Sequence, residues 1–286
     1  MKNFCKSFST LFGYGCVMGI ATFTSFAAEI IAHRGASHDA PENTLASFKL
    51  GYQQNADGDE LDIHLTKDEK LVVMHDFDTK RIAGVEGKIM DKTFKEIRAL
   101  EVGKWGDWKD KGFSEKIPTL AEALDLIPEG KKFFIEIKCH DGNPAEAARI
   151  ITKTIPELKK VLQKSGKQAA QTPIITFHYD VAKAAKEKLS EHEVYWLVAW
   201  SKDKITGEYP KLDALIEKTK AAKLDGVDLN FGFPIDKAFV EKVHGAGLKL
   251  YTWTVDDPVV ARAEVEAGVD GITTNRPDWL REQLKK

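Results

Sequence analysis

Residues 57–76 read DGDELDIHLTKDEKLVVMHD, and this stretch decides the fold prediction. In its first half, Glu60, Asp62 and His64 alternate with leucine and isoleucine. Side chains of a β-strand change face at every residue, so Glu60 and Asp62 point to the same side. Two neighbouring buried carboxylates repel each other, and a hard divalent cation between them would remove the conflict. The alternative is a half-exposed edge strand with a solvated acidic face.

The second half of the stretch is a short apolar run, LVVM at residues 71–74, followed by His75 and Asp76. A strand that ends in a titratable residue commonly brings chemistry to the rim of a barrel. Around this stretch, short apolar runs alternate with segments of helical periodicity. The alternation predicts eight βα units, with LVVM as an additional strand. The principal strands lie near Ile31, Leu61, Ile135, Ile175, Leu197, Val227, Tyr251 and Ile272.

Eight alternating units predict an α/β fold of the (β/α)8 TIM-barrel class with a small insertion subdomain after the second strand. A doubly wound sheet is the alternative, but the chain has no G-x-G-x-x-G turn. The insertion covers residues 77–118, which are rich in Lys, Gly and Trp and too long for a plain connection. We expect its Trp105, Trp108 and Phe113 to form its own small core rather than to shape the substrate pocket.

Composition is that of an ordinary globular protein. The chain has 286 residues, of which 43% are hydrophobic and 30% charged, and its formal net charge is −2. A chain of this length can build one large α/β domain with a sizeable core. Because no broad basic field is present, the composition predicts neither a nucleic-acid partner nor an anionic membrane partner. No feature of the sequence predicts an oligomeric state.

The N-terminus predicts export. Lys2 and Lys6 precede a charge-free apolar run at residues 8–28, and Ser25-Phe26-Ala27 gives the small-x-small pattern of a cleavage site. We interpret residues 1–27 as a signal peptide and residues 28–286 as the mature barrel domain of a periplasmic or secreted protein. A retained membrane anchor is the alternative, which the many small and polar residues of the run disfavour. After cleavage only Cys139 remains, so no internal disulfide is expected.

The predicted strand ends bring titratable residues to one mouth of the barrel. They include His33 and Arg34 after the first strand and Glu136 in KFFIEIK, where parity places Lys138 on the face of Glu136. Trp253 ends a later strand. Each residue has an ordinary structural explanation, and their convergence from separate strands favours a functional site.

Six motifs together carry a family resemblance. They are IAHRGASHDAPENT (residues 31–44), ELDIHLTKDEKLVVMHD (60–76), KIPTLAEAL (116–124), FFIEIK (133–138), YTWTVDD (251–257) and DGITTNRPD (270–278). This combination resembles the glycerophosphodiester phosphodiesterase family over residues 30–277. The resemblance implies metal-dependent hydrolysis of glycerophosphodiesters, such as glycerophosphocholine and glycerophosphoethanolamine, to sn-glycerol 3-phosphate and an alcohol.

Position by position, the resemblance implies the roles of five residues. Glu60, Asp62 and Glu136 match the metal-binding acids of the family. His33 and His75 match its two catalytic histidines, which would share general acid and general base catalysis. All-carboxylate ligation selects hard ions, so the expected cofactor is one Mg²⁺ or Ca²⁺.

The resemblance also implies substrate contacts. Arg34 and Lys138 match basic residues that meet the phosphate, and Trp253 matches an aromatic residue on the glycerol side. Where many members have Ser-Phe after the fourth strand, this chain has Phe177-His178, which leaves that contact open.

The expected partner is therefore a small-molecule glycerophosphodiester. A lipid phosphodiesterase of the lysophospholipase D or sphingomyelinase D type is the nearest alternative, but it needs an apolar groove or membrane-facing loops that the sequence does not show. A non-catalytic binding protein on the same barrel is the second alternative, although it would have no need to retain both histidines and all three acids.

Overall fold

The structure, a computed structural model, describes residue 1 and residues 28–140, 143–203 and 206–286. Apart from Met1, the signal peptide predicted for residues 1–27 lies outside this part, and it stays a prediction. In the described part of the chain, no helix combines the length and the apolar character needed to cross a membrane.

Eight parallel strands close into a ring, and a ninth strand is attached to it. The strands are β1 (Glu29–Ala32), β2 (Gly58–Leu65), β3 (Leu71–Val73), β4 (Lys132–Ile137), β5 (Ile174–Thr176), β6 (Val194–Val198), β7 (Gly226–Asn230), β8 (Lys249–Trp253) and β9 (Gly271–Thr274). The ring runs β1-β2-β4-β5-β6-β7-β8-β9 and closes through pairing of β9 with β1. The predicted TIM barrel is confirmed, including the additional strand β3.

Helices follow the strands in the predicted alternation. They are α1 (Leu45–Gln53), α2 (Lys80–Ala83), α3 (Phe94–Arg98), α4 (Leu120–Leu124), α5 (Pro144–Arg149), α6 (Ile155–Ser165), α7 (Tyr179–Lys188), α8 (Leu212–Ala221), α9 (Lys237–Gly245), α10 (Pro258–Ala267) and α11 (Pro277–Leu284). A π-helical turn at Ile150–Thr154 joins α5 to α6. Pro156 lacks the N–H that would continue the regular α-helical ladder there, which explains the wider turn.

Strand β2 explains why the opening stretch of sequence is decisive. All of its residues, Gly58–Leu65, are buried, so the alternative of a half-exposed edge strand is wrong. The start of β2 pairs with β1, and residues Gly58 to Ile63 pair with β4. The end of β2 pairs with the antiparallel strand β3. The strand is therefore enclosed on both edges, and the carboxylates of Glu60 and Asp62 are buried inside the barrel.

Six large side chains fill the inside of the ring, namely Ile31, Phe134, Ile175, Tyr195, Leu197 and Tyr251. The rings of Tyr195 and Phe134 each pack edge-on against Tyr251, with centroids 5.0 Å apart. Phe134 lies two residues before Glu136 on β4, and Tyr251 lies two residues before Trp253 on β8. These aromatic rings therefore form the floor beneath the mouth of the barrel.

The segment between β3 and α4 contributes to a separate apolar cluster. This cluster contains Val72, Met74, Ile82, Ile89, Ile97, Val102 and Ile117, and Trp105 packs against it. Trp108 packs edge-on against Phe113 at 5.5 Å. The expectation that these aromatic residues pack within the insertion is confirmed, whereas the division of the chain into a subdomain at residues 77–118 stays a prediction.

One buried carboxyl lies on the outer side of the barrel, between β8 and α10. Glu264 is 3% exposed, and its Oε2 accepts a hydrogen bond of 2.7 Å from Thr252 Oγ1. Burial raises the pKa of Glu264 from 4.5 to about 7, although the hydrogen bond from Thr252 opposes this shift. The folded protein therefore holds a proton on Glu264 at pH values where the unfolded chain has lost it.

We predict that Glu264→Gln stabilises the protein at high pH only. Because the pKa of Glu264 is higher in the folded state, binding of its proton adds to the free energy of unfolding at low pH. This contribution is lost as the pH rises from 4.5 to about 7. Urea denaturation of the two proteins should give equal free energies of unfolding near pH 4, and an advantage of about 1–3 kcal/mol for the variant near pH 8. A difference of the same size at both pH values would contradict this account of Glu264.

Candidate active site

Three carboxylates meet at the mouth of the barrel, where β2 and β4 lie side by side. Asp62 and Glu136 are direct neighbours in the register of the two strands, and Glu60 precedes Asp62 by two residues on the same face. One oxygen from each of the three lies within 4.8 Å of the others, and all three residues are buried. The structure thus brings together the three predicted metal-binding acids at a spacing that a single ion can bridge.

Two cationic side chains offset part of this negative charge. Lys138 Nζ lies 2.8 Å from Glu136 Oε1 and 3.2 Å from Asp62 Oδ1, and Arg34 Nε lies 3.5 Å from Asp62 Oδ2. Burial works to raise the pKa of Asp62, but the two cations lower it strongly. Burial and the charges of Asp62 and Glu136 raise the pKa of Glu60 well above its usual value. Burial also raises the pKa of Glu136 to about 7, so protons on Glu60 and Glu136 relieve part of the repulsion among the three carboxyls.

A tight turn after β1 positions the first basic residue. Arg34 and Gly35 have φ values of 55° and 77°, in the left-handed region. A Cβ at Gly35 would lie 2.4 Å from the backbone of Ser47, so only glycine fits. The turn directs the backbone N–H of Arg34 to Glu60 Oε2 at 3.0 Å and its guanidinium to Glu42 Oε1 at 3.0 Å. The HRG sequence is therefore explained by this geometry.

His33 is held in one tautomer by Asn275, which follows the end of β9. Its Nδ1–H donates to Asn275 Oδ1 at 2.7 Å. The amide of Asn275 is itself oriented, because its Nδ2 donates to Asp256 Oδ2 at 2.5 Å. The proton on Nδ1 leaves Nε2 as the acceptor. Burial, with a contribution from Arg34, lowers the pKa of His33 to about 4, so its imidazole is neutral at pH 7.

His75 faces the same cavity and has a different partner. Its Nδ1–H donates to Asp76 Oδ1 at 2.8 Å. Arg81 then donates two hydrogen bonds to Asp76 and two to Glu42, and Glu42 contacts Arg34. A chain of ion pairs thus connects His75 to the turn after β1. Burial lowers the pKa of His75, while the carboxylates of Asp62 and Asp76 oppose this shift.

These groups surround a cavity of about 110 Å³. Seven of the eight predicted site residues line it: His33, Arg34, Glu60, His75, Glu136, Lys138 and Trp253. The eighth, Asp62, contacts the site through Lys138 and Arg34. On the side formed by β5, β6 and β8, the lining is mostly apolar, and the ring of Phe177 packs edge-on against Trp253 at 5.3 Å. The cavity therefore has a charged half and an apolar half.

Three residues that the sequence left without a role are placed by the structure. Phe177 lines the cavity, so an aromatic ring stands where many family members have serine. His178 lies in a neighbouring cavity instead. His64 is buried, and its Nε2–H donates to the backbone oxygen of His75 at 3.3 Å. Its role in the structure is to support the segment that carries His75.

The sequence placed Asn275 at a strand end on the barrel mouth but gave it no role, and it missed Arg81, which holds the partner of His75. Asn275 is 242 residues from His33 in the chain, and Arg81 lies in the insertion. Asn43 was also missed, although its Nδ2 donates to Asp62 Oδ2 at 2.8 Å. No periodic signal marks these side chains. Asp228 was missed as well, but the pattern GVDLN at residues 226–230 could have revealed it, since it is a charged residue inside an apolar strand.

Comparison with known proteins agrees with this geometry. The model of the glycerophosphoryl diester phosphodiesterase family matches residues 33–279. A glycerophosphodiester phosphodiesterase of Caldanaerobacter subterraneus is 34% identical over 263 residues, which are 90% of this chain and 98% of the relative.

Solved structures of similar proteins share the barrel fold of this chain. A phosphodiesterase of Oleispira antarctica in complex with the product sn-glycerol-3-phosphate superimposes with a TM-score of 0.76 at 27% identity, covering 92% of this chain and 98% of that one. A protein of Silicibacter pomeroyi superimposes with a TM-score of 0.77 over 91% of this chain and 93% of its own; its 22% identity is evidence for the fold alone. This chain belongs to the glycerophosphoryl diester phosphodiesterase family, a family of phosphoric diester hydrolases.

Proposed function

We propose that this chain hydrolyses glycerophosphodiesters, such as glycerophosphocholine and glycerophosphoethanolamine, to sn-glycerol 3-phosphate and an alcohol. The observation that carries the proposal is the shared cavity, in which two imidazoles, two cations and carboxylates meet. The names of the relatives and the product bound in the Oleispira antarctica structure support this substrate class.

The donor set fits a hard divalent cation, Mg²⁺ or Ca²⁺. Glu60, Asp62 and Glu136 offer carboxylate oxygens only, and one oxygen of each lies within 4.8 Å of the others. These three residues would hold the ion. When bound, the ion would stabilise negative charge on the phosphoryl group.

The basic residues would bind the phosphodiester. Arg34 presents a planar guanidinium that suits two phosphate oxygens, and Lys138 supplies a compact positive charge. Both side chains already contact Asp62, so they are held in place before substrate arrives. Binding therefore needs little rearrangement of the cations, which favours catalysis by a preformed electrostatic environment.

The partners of the two histidines favour different roles. Asn275 is a neutral partner and Arg34 a nearby cation, so His33 is suited to accept a proton from a substrate glyceryl hydroxyl through Nε2. The carboxylate of Asp76 would stabilise a protonated His75, which is suited to donate a proton to the departing alcohol oxygen. Attack of the glyceryl hydroxyl on phosphorus gives a cyclic phosphate, and water opens it with the roles reversed.

One prediction of the proposed function concerns activity and substrate. The wild-type protein should release glycerol 3-phosphate from glycerophosphocholine, and His33→Ala and His75→Ala should each lower turnover by about 10²–10⁴-fold. His244→Ala, at an exposed position of α9 away from the cavity, is the control and should retain wild-type turnover. Normal turnover in both test variants would contradict the proposed two-histidine mechanism. A preference for lysophosphatidylcholine over glycerophosphocholine would favour the alternative of a lipid phosphodiesterase.

Another prediction concerns the tautomer of His33. Long-range ¹H–¹⁵N NMR at pH 7 should detect a neutral His33 ring protonated at Nδ1, because Asn275 Oδ1 accepts that proton. In Asn275→Ala the ring should become a mixture of tautomers, since the acceptor is lost. An imidazolium signal, or protonation at Nε2 alone in the wild-type protein, would contradict the role assigned to His33.

A further inference from the structure

Asp228 is a buried carboxyl that the mechanism above does not use. It lies in the middle of β7, is 2% exposed, and its Oδ1 has no hydrogen-bond partner. The side chain lines the active-site cavity. Its neighbours Val227 and Leu229 belong to the apolar cluster outside the ring, so strand alternation directs Asp228 inward. A buried acceptor that faces a ligand cavity without a partner is costly unless the ligand supplies a donor.

Asp228 lies across the ring from the strand that carries Glu60 and Asp62. In the closed ring, β7 is four strands away from β2, which carries Glu60 and Asp62. The neighbouring lining residues, Leu197 and Phe177, are apolar. Asp228 is thus a polar group beside apolar lining, and burial together with the charge of Glu136 raises its pKa.

The neighbouring indole leaves the carboxyl of Asp228 available. Trp253 Nε1 donates to the backbone oxygen of Asp228 at 3.1 Å rather than to its side chain. This bond fixes the indole beside the carboxyl. The apolar side chains of Ile175 and Leu197 line the same cavity. A ligand group that reaches Asp228 therefore also contacts the indole of Trp253 and these apolar side chains.

A hydroxyl group fits this acceptor better than a metal ion does. Among the described residues, the cluster able to hold an ion consists of Glu60, Asp62 and Glu136, and Asp228 is not part of it. A hydroxyl hydrogen needs one acceptor oxygen, whereas a hard cation needs several. The glyceryl group is small, common to all proposed substrates, and carries two hydroxyls, of which one is the attacking group in the proposed mechanism.

We propose that Asp228 is a specificity-determining residue, which accepts a hydrogen bond from the terminal hydroxyl of the glyceryl group. The inference rests on the proposed function. It explains why a carboxyl is placed in the apolar half of the cavity. An analogue without that hydroxyl leaves the acceptor unpaired, and sites built to bind a hydroxyl reject such analogues strongly.

The experiment compares two substrates. One is glycerophosphocholine, and the other is 2-hydroxypropyl phosphocholine, which keeps the attacking hydroxyl and lacks the terminal one. The wild-type kcat/KM should be higher for glycerophosphocholine by at least about tenfold. Asp228→Leu should lower kcat/KM for glycerophosphocholine by about 10- to 100-fold and leave that for the analogue within about twofold. Asp228→Asn keeps an acceptor oxygen and should retain the preference.

Asp59 offers a matched control. It too is fully buried, and neither of its carboxyl oxygens has a hydrogen-bond partner. It faces Gly51 of α1, on the outer side of β2, instead of the cavity. Asp59→Asn should leave the preference between the two substrates unchanged.

The possible failures are distinguishable. Equal wild-type kcat/KM for the two substrates would overturn the role of Asp228 without any variant, even if Asp228→Leu did not fold. An equal loss on both substrates in a folded Asp228→Leu would overturn it as well and leave the proposed function standing. No wild-type hydrolysis of either substrate would overturn the proposed function and this inference with it.

Discussion

The structure depends on holding three carboxylates together in the mouth of a barrel, where water cannot screen them. Their oxygens lie within 4.8 Å of one another, and two cationic side chains oppose them. At such distances in a partly dry environment, unbalanced charge is costly. The turn that presents Arg34 and the strand end that presents Lys138 both serve this balance. The same three carboxylates are close enough together for one cation to bridge them.

Much of this arrangement could be predicted from the sequence, because it follows from strand alternation. Parity on β2 places Glu60 with Asp62, and parity on β4 places Glu136 with Lys138. The barrel followed from the regular succession of strands and helices. Hydrogen bonds such as that between His33 and Asn275 could not be predicted, because they join distant parts of the chain that only closure of the ring brings together.

The charged half and the apolar half of the cavity would have different tasks in the proposed reaction. Strands β1, β2 and β4 provide the charged groups that suit a phosphodiester and an ion. Strands β5 to β8 provide apolar and aromatic surfaces, with Asp228 as a polar exception. A substrate with a charged centre and a small polyol matches this division. The charged half and the apolar half of the cavity each come from consecutive strands of the ring. The order of the strands would therefore orient such a substrate in the cavity.

Calorimetric titration of chelator-treated protein with Mg²⁺ and with Ca²⁺ tests the central claim most directly. The account predicts one bound ion per chain, and affinities lowered at least about tenfold in Glu60→Gln and Glu136→Gln, because each variant removes a charged ligand. Glu264→Gln, which changes a buried carboxyl outside the cavity, should bind as the wild-type protein does. Absence of binding, or unchanged affinity in both ligand variants, would contradict the claim that these carboxylates form a cation site.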